Sequence, residues 1–204
     1  DQTLIVYTAD QGLMLGHRGL IGKGNATLPQ NLYEESVRVP MVLHWPGRIP
    51  AGTRLAIPFD HIDLFQSLLD AAGVRVTPEL VASINSPGSS VVPYLADPTT
   101  GWRRWRFAEY GTVRAIADQR YKLIVRSPPL LPGYGDELYD LPEDPGETRN
   151  LVSSADHRAV AQELRVALTA HFARYAIPAR DGFSAIEQPP QNGNEPWRRM
   201  AVVA

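Results

Sequence analysis

Hydrophobic positions in this chain follow three rhythms: short continuous runs in the first fifty residues, alternation between Trp105 and Asp140, and helical spacing in two longer stretches. Leu4, Ile5, Val6 and Tyr7 form a continuous apolar run, the pattern of a strand covered on both faces as in a parallel sheet. Val39 to Trp45 (VPMVLHW) predicts a second buried strand, with Pro40 tolerated near its start and the turn-rich PGRIPAG after it. His44 on that strand is expected to be structural rather than a ligand.

From Asp60 to Ala72, the residues Ile62, Phe65, Leu69 and Ala72 share one face at 3.6-residue spacing, widened by Leu64 and Leu68. This predicts a helix buried on that face, capped by Asp60 or Asp63 and ended by Gly73. His61 at its start reads as a capping or surface residue. Residues 74–101 carry little periodicity. RFAEY, TVRAIAD, RYKLIV and ELYDL then predict an antiparallel meander, with Val113, Ala115 and Ala117 on one face. Ala155 to Tyr175 is the clearest helix, with Val160, Leu164, Leu168, Phe172 and Tyr175 forming a stripe that should cover one face of the meander. Asn150 and Asp156 are candidate caps before it, and His157 and His171 fall off the stripe and should be solvated. Residues 178–204, rich in Pro, Gly, Asn and Gln, predict an extended tail whose apolar MAVVA end docks on the body or on another subunit, or frays.

The polar positions add chemistry. The first strand runs into Asp10-Gln11-Gly12, delivering an acid and an amide to the carboxyl end of a strand, where open α/β sheets bind ligands. Glycines follow at 16, 19, 22 and 24, with Lys23 between the last two. Asp10 and Gln11 are oxygen donors suited to calcium or magnesium and not to zinc. Lys23 is a compact cation able to sit on an anionic oxygen. Taken singly, these residues favour a strand end, an Asx-type turn and a solvated lysine; it is their ordered series that points to a site. Lys122, the only other lysine, lies in the predicted meander and serves as the neutral comparator for Lys23.

Composition narrows the classes. The chain has 204 residues, 44 % hydrophobic, with a formal charge of −2, which argues against electrostatic nucleic-acid binding. The Arg103, Arg104 and Arg106 cluster, interleaved with Trp102 and Trp105, reads as an amphipathic entry to a strand before it reads as a base-stacking platform. The absence of cysteine removes disulfides and thiolate metal sites. No run approaches the roughly eighteen apolar residues of a membrane span. Glu143, Asp144 and Glu147 lack EF-hand spacing.

The ordered motifs TADQG, LGHRGL, GKG, LYEES and VRVP, with LYDLPEDPGETRNL at 138–151, resemble the second half of the formylglycine-dependent sulfatases of the alkaline phosphatase superfamily. The resemblance implies an α/β fold. Residues 1–101 would be the C-terminal part of a mixed sheet flanked by helices, residues 102–176 a small antiparallel-sheet and helix subdomain, and residues 177–204 the tail. It implies sulfuric ester hydrolysis, with Asp10 and Gln11 as ligands of calcium (magnesium the alternative) and Lys23 bridging sulfate and leaving-group oxygen. Asn25 would stand near the substrate. The family's Gly-x-His-Gly stands here as Gly16-His17-Arg18-Gly19, so either Arg18 binds the anionic substrate or His17 takes the histidine's place.

The family's Cys/Ser-x-Pro-x-Arg nucleophile motif is missing: Ser127 precedes Pro129, but Leu131 stands at the arginine position. The chain is therefore expected to be the C-terminal part of a longer enzyme, with the formylglycine and a further pair of metal-binding acids upstream. Alone it should be inactive and should expose a sheet edge and an apolar face. The expected partner is a sulfate ester, with carbohydrate sulfates the family-level suggestion. Phosphodiesterases and phosphonate monoester hydrolases of the same superfamily are the enzymatic alternative, and a non-catalytic anion-binding homologue is the other.

Overall fold

A computed structural model describes residues 3–75, 77–127 and 133–184. In chain order the elements are β1 (Ile5–Thr8), β2 (Met14–Leu15), β3 (Ile21–Gly22), α1 (Glu34–Val37), β4 (Met41–His44), α2 (His61–Ala71), α3 (Pro78–Ile84), α4 (Val92–Ala96), β5 (Arg106–Tyr110), β6 (Val113–Ala117), β7 (Tyr121–Arg126), β8 (Glu137–Asp140) and α5 (Arg158–Tyr175). They form two compact units interleaved in sequence: Asp1–Ala9 with Pro40–Arg106, and Asp10–Val39 with Phe107–Ala204. Segment 10–39, expected with the first part of the chain, thus belongs with the C-terminal sheet.

In the first unit, β1 pairs antiparallel with β4, Ile5 opposite His44 and Tyr7 opposite Val42. The pleat puts these four side chains on one face, and that face is open: Ile5, Tyr7 and Val42 are more than half exposed. The strand is therefore neither parallel-paired nor covered on both sides among the described residues, although its sequence is apolar on both.

α2 starts and stops where the sequence indicates. Asp60 and Asp63 form a reciprocal capping box. Gly73, at φ 74°, closes the helix with the Val74 N–H on the Leu69 carbonyl and its own N–H on the Asp70 carbonyl. The fully buried positions, however, are polar ones, and of the expected apolar face only Leu64 and Leu69 are half-buried. Asp63, Gln66 and Ser67 are buried, while Ile62, Phe65 and Leu68 are exposed.

The cause is the segment 86–103, which lies on the polar side of α2. Asp63 accepts from the Ser89 N–H at 2.9 Å and from Arg103 Nη2 at 2.6 Å. Ser67 Oγ accepts from the Val91 N–H at 2.9 Å, and Ser90 Oγ donates to Asp70 at 2.7 Å. Gly88 passes so close to the Ile62 carbonyl that no side chain fits there. Asp63 can be fully buried because a guanidinium and backbone donors satisfy it. Arg103 also reaches Asp60, and Trp102 donates to the Pro58 carbonyl and stacks on Phe59. This part of the Trp-Arg cluster is committed inside the unit.

The second unit is built on the predicted meander, in the order β5-β6-β7-β8. All five residues of β6 are buried, because both faces of the sheet are covered. α5 packs on β6 and β7 from one side, burying Leu164 and Leu168 as the stripe predicts. On the other side Met14, Leu32 and Tyr33 from segment 10–39 join Val113, Ala115, Ile124 and Tyr139 in one core cluster.

This second face also carries charge. By register, Lys122 lies opposite Tyr139 and Ile124 opposite Glu137, so Lys122, Arg126, Glu137 and Tyr139 all project toward segment 10–39. Arg126 donates to the Gln30 carbonyl at 2.6 Å and pairs with Glu137 at 2.7 Å. Lys122 Nζ stands 3.1 Å from Glu34 and 2.9 Å from Glu147, whose carboxylate also accepts from the Glu34 N–H. The 138–151 signature is thus a device that fixes the segment carrying the sequence motifs, and Lys122 is no neutral comparator. Glu147 is fully buried here, and Asp144 accepts from Thr148 and Arg149, which leaves no calcium loop.

Several local expectations change. Asn150 caps no helix; its side chain ties the Leu138 N–H, the Val152 N–H and the Asp136 carbonyl together. Ser154, not Asp156, flanks the 3-10 turn before α5 and bonds His157 at 2.9 Å. His171 is stacked on Phe107, with ring centroids 3.6 Å apart, rather than solvated. Residues 178–184 form two 3-10 turns, pinned where Arg114 pairs with Glu109 and Asp181 between the rings of Phe172 and Phe183. The MAVVA end lies outside the described residues.

Candidate functional site

The candidate site residues Asp10, Gln11, His17, Arg18, Lys23 and Asn25 all fall in the second unit, on segment 10–39. Asp10 is exposed, and Gln11 Nε2 reaches its carboxylate at 3.4 Å; the amide oxygen of Gln11 and the second carboxylate oxygen take no hydrogen bond among the described residues. The stretch is held from behind: the Gly12 N–H donates to the Ser36 carbonyl at 3.0 Å, and Gly12 sits against the Glu35 carbonyl with no room for a Cβ.

β2 and β3 then make a small hairpin, with Met14 fully buried and Leu15 and Ile21 facing solvent. Its tip is the Gly16-His17-Arg18-Gly19 turn. Gly16 and Gly19 have φ of 97° and 72°, and Arg18 itself sits at φ 56°, which is unusual for a residue with a side chain. The Leu20 N–H closes on the His17 carbonyl at 3.0 Å. His17 is exposed. Arg18 lies with its guanidinium carbon 4.1 Å from the centre of the Tyr33 ring, and its Nη2 is 3.3 Å from the Tyr139 hydroxyl. That hydroxyl donates to Glu137 at 2.8 Å. Burial, reinforced by the Glu137 charge, pushes the Tyr33 phenol up to about 12 and raises Tyr139 as well.

Lys23 and Asn25 occupy a turn closed by the Ala26 N–H on the Lys23 carbonyl at 2.8 Å, and both side chains are exposed. Among the described residues the Lys23 ammonium has no hydrogen bond or ion pair. The turn rests on a buried polar knot: Asn31 Nδ2 donates to Thr27 Oγ1, Ser36 Oγ donates to Asn31 Oδ1, and Thr27 Oγ1 donates to the Pro29 carbonyl, all at 2.7–2.8 Å. Gly24 is buried, and a Cβ there would meet the Asn31 carbonyl at 2.5 Å and the Tyr110 ring at 2.7 Å. Its glycine is required by packing beneath the turn.

Tyr110, at the end of β5, is a residue that sequence reasoning missed. Its ring touches the Gly24 backbone, and its phenol is raised first by burial and then by the charge of Asp10. It therefore stands by both Asp10 and the Lys23 turn, brought there by sheet topology that nothing local in FAEY signals. Asp10 and Gln11 offer a hard, oxygen-only donor pair of the kind calcium or magnesium takes. Among the described residues no group of three or more His, Cys, Asp or Glu side chains gathers to hold a metal, so this pair could supply only part of a coordination shell.

These elements are those of a sulfatase-like α/β fold, seen over its C-terminal portion. Residues 29–174 match the family model described as "N-sulphoglucosamine sulphohydrolase, C-terminal", and the chain belongs to that family. It is 29 % identical over 174 residues to an N-acetylglucosamine-6-O-sulfatase of Bacteroides thetaiotaomicron, a match covering 80 % of this chain and 29 % of that protein. A solved structure in complex with its substrate D-glucosamine-2-N,6-O-disulfate superposes with a TM-score of 0.71 at 28 % identity, covering 88 % of this chain and 35 % of that one. The phosphonate monoester hydrolase of Agrobacterium radiobacter superposes at 0.66 with 26 % identity, covering 84 % and 35 %. The chain thus spans about a third of the length of the relatives it matches. Among the described residues no helix is long and apolar enough to cross a membrane.

Proposed function

We propose that this chain is the C-terminal portion of a sulfuric ester hydrolase acting on sulfated carbohydrate, and that it contributes part of the metal and sulfate site. The observation that carries the reading is Lys23: an exposed ammonium without a partner among the described residues, on a turn braced from beneath, in the same compact unit as Asp10 and Gln11. In this reading Asp10 and Gln11 hold a calcium ion, with magnesium the alternative, whose chemistry is to withdraw charge from sulfate oxygens. Lys23 places its point charge on the sulfuryl and leaving-group oxygens, where charge grows as the S–O bond breaks. Asn25, on the same turn, offers the substrate a neutral hydrogen-bonding group. His17 and Arg18 are the candidates for contact at the hairpin tip. The formylglycine nucleophile and the remaining metal ligands belong to sequence outside this chain, so these 204 residues alone should turn over no sulfate ester.

The likeness to a phosphonate monoester hydrolase supports a second reading, hydrolysis of a phosphonate or phosphodiester by the same scaffold. Assaying the purified full-length protein with an aryl sulfate, a glucosamine sulfate and an aryl phosphonate monoester separates the two. The sulfatase reading expects the sulfates to be turned over with the higher kcat/KM. Preference for the phosphonate favours the second reading, and inactivity on all three favours a non-catalytic anion-binding homologue.

A further inference from the structure

We propose that Arg18 is a positioning residue, anchored on Tyr33 and Tyr139, and that His17 is the side chain which the hairpin tip presents to the substrate. This rests on the sulfatase reading and decides between the two candidates at the tip.

The argument begins with the backbone. A residue with a Cβ at φ 56° is held in a sparsely populated region, and it persists where surrounding contacts over-determine it. The contacts at Arg18 are of that kind. Its guanidinium lies over the Tyr33 ring at 4.1 Å, close enough for a cation–π attraction, and the Tyr139 ring is 5.7 Å away. The 3.3 Å bond to the Tyr139 hydroxyl is long, so the ring contact is the stronger component.

Behind these rings the wall is fixed. Tyr139 is 1 % exposed and donates to Glu137, Glu137 pairs with Arg126, and Arg126 holds the Gln30 carbonyl. Glu137 also gives the tyrosine wall the negative field that an arginine favours. Arg18 thereby ties the hairpin tip to β8 and to the base of the Lys23 turn. Arg18 is exposed as a residue, but its guanidinium rests one face on this wall, an orientation that competes with a two-pronged grip on a substrate anion. His17, the preceding residue, is exposed like Arg18 but has no side-chain hydrogen bond or ring contact among the described residues, and the closed turn fixes its backbone.

The test is a double-mutant cycle in the full-length protein, combining Arg18→Ala with Tyr33→Leu, which removes the ring face that Arg18 covers and leaves the Tyr139–Glu137 hydrogen bond in place. Kinetics on an aryl sulfate are read beside thermal midpoints. Anchoring expects each single variant to lower kcat about 3- to 30-fold with KM within about 3-fold, and the double variant to be no worse than the worse single, since one contact is lost once. Arg18→Lys should recover part of kcat, because an ammonium can still sit over Tyr33. His17→Gln should lower kcat by more than either single.

A tenfold or larger rise in KM in Arg18→Ala with kcat retained, or fully multiplicative effects in the double variant, overturns the proposal. If the wild-type protein hydrolyses no sulfate ester, it is the sulfatase reading that has failed. The thermal midpoints then decide the anchor alone: non-additive shifts support it and additive shifts overturn it.

Discussion

Lys122 Nζ lies 2.9 Å from Glu147 Oε1, with Lys122 2 % exposed and Glu147 not exposed at all. Glu34, on the segment that carries the candidate site, completes the cluster at 3.1 Å from the same ammonium. One cation thus stands between two carboxylates in a largely buried setting, and it couples the 138–151 signature to the YEES helix. An isolated charge is costly to bury, so the cluster holds only while its members neutralise one another.

Lys122→Ala should therefore destabilise the protein by about 3 kcal/mol or more, the usual consequence of removing one partner from a buried pair. Adding Glu147→Gln to it should recover part of the loss, because the remaining buried charge is then reduced. Chemical denaturation of the full-length wild type and both variants measures this. A loss below about 1 kcal/mol for Lys122→Ala would show that water reaches the cluster after all.

The same cluster gives stability a pH dependence of defined sign. Burial, opposed by Lys122, leaves the Glu147 carboxyl above its ordinary value of 4.5. Its folded form therefore holds the proton more tightly than its unfolded form. The stability it contributes is complete below the unfolded value and is lost as pH rises through the raised folded one. Measured from pH 4 upward, the wild type should lose stability relative to Glu147→Gln across that window. A difference that instead grows in favour of the wild type as pH rises would reverse the sign and refute the assignment.

What could be read from the sequence, and what could not, divides along physical lines. The meander and α5 were legible because period-2 alternation and a four-residue stripe are local signals, and the α2 boundaries because caps are local chemistry. The buried face of α2 was not, since periodicity marks an apolar stripe but not what lies opposite it. Here Asp63 and Ser67 are drawn inward by Ser89, Val91 and Arg103, partners more than twenty residues away. Lys122 was misjudged for the same reason: its role comes from Glu34 and Glu147, which only the folded sheet brings to it. Asp10, Gln11 and Lys23 were legible as an ordered motif, whereas Tyr110 beside them was visible only in three dimensions.

Gly24 is fixed by the packing beneath the Lys23 turn. A Cβ at this position would press on the Asn31 carbonyl and the Tyr110 ring, and it would meet Ser36 Cβ at 3.1 Å. Backbone cannot yield as a flexible side chain does, so Gly24→Ala should cost about 1–3 kcal/mol as overpacking and shift the Lys23 turn. Gly24→Ala combined with Tyr110→Ala should recover less than half of that loss, because the Asn31 carbonyl remains in the way. Thermal denaturation of the three variants checks this; full recovery in the double variant would assign the clash to Tyr110 alone.

If Asp10 and Gln11 hold a metal as proposed, their donor chemistry says which one. Two oxygen donors favour calcium or magnesium over zinc. Protein purified without added ions should contain calcium or magnesium, and calcium should raise its thermal midpoint, as any ligand bound only by the folded state does. Asp10→Ala should abolish that rise while leaving the metal-free midpoint within a few degrees of wild type, since Asp10 is exposed. Stoichiometric, tightly held zinc lost on the same substitution would count decisively against the assignment.

Lys23 provides the sharpest test of the proposed function. Its ammonium is exposed and without a partner among the described residues, so removing it breaks no internal contact and should leave the fold intact. If it meets the oxygens that gain charge as the S–O bond breaks, it acts mainly in the transition state, and its loss should depress kcat more than it raises KM. Losing one such stabiliser typically costs on the order of 100- to 1000-fold in kcat. Lys23→Arg should be damaging too, because a planar fork does not reproduce a point charge on a tight turn. The comparator must be a solvent-facing cation rather than Lys122, whose substitution would confound activity with stability. Arg158, exposed at the start of α5, meets that need. Steady-state kinetics and thermal midpoints of Lys23→Ala, Lys23→Arg and Arg158→Ala in the full-length protein decide the matter. The expected result is unchanged midpoints in all three, with kcat lost only in the two Lys23 variants. Near-wild-type kcat in Lys23→Ala would reduce Lys23 to a solvated loop residue and remove the main support for sulfate binding by this chain.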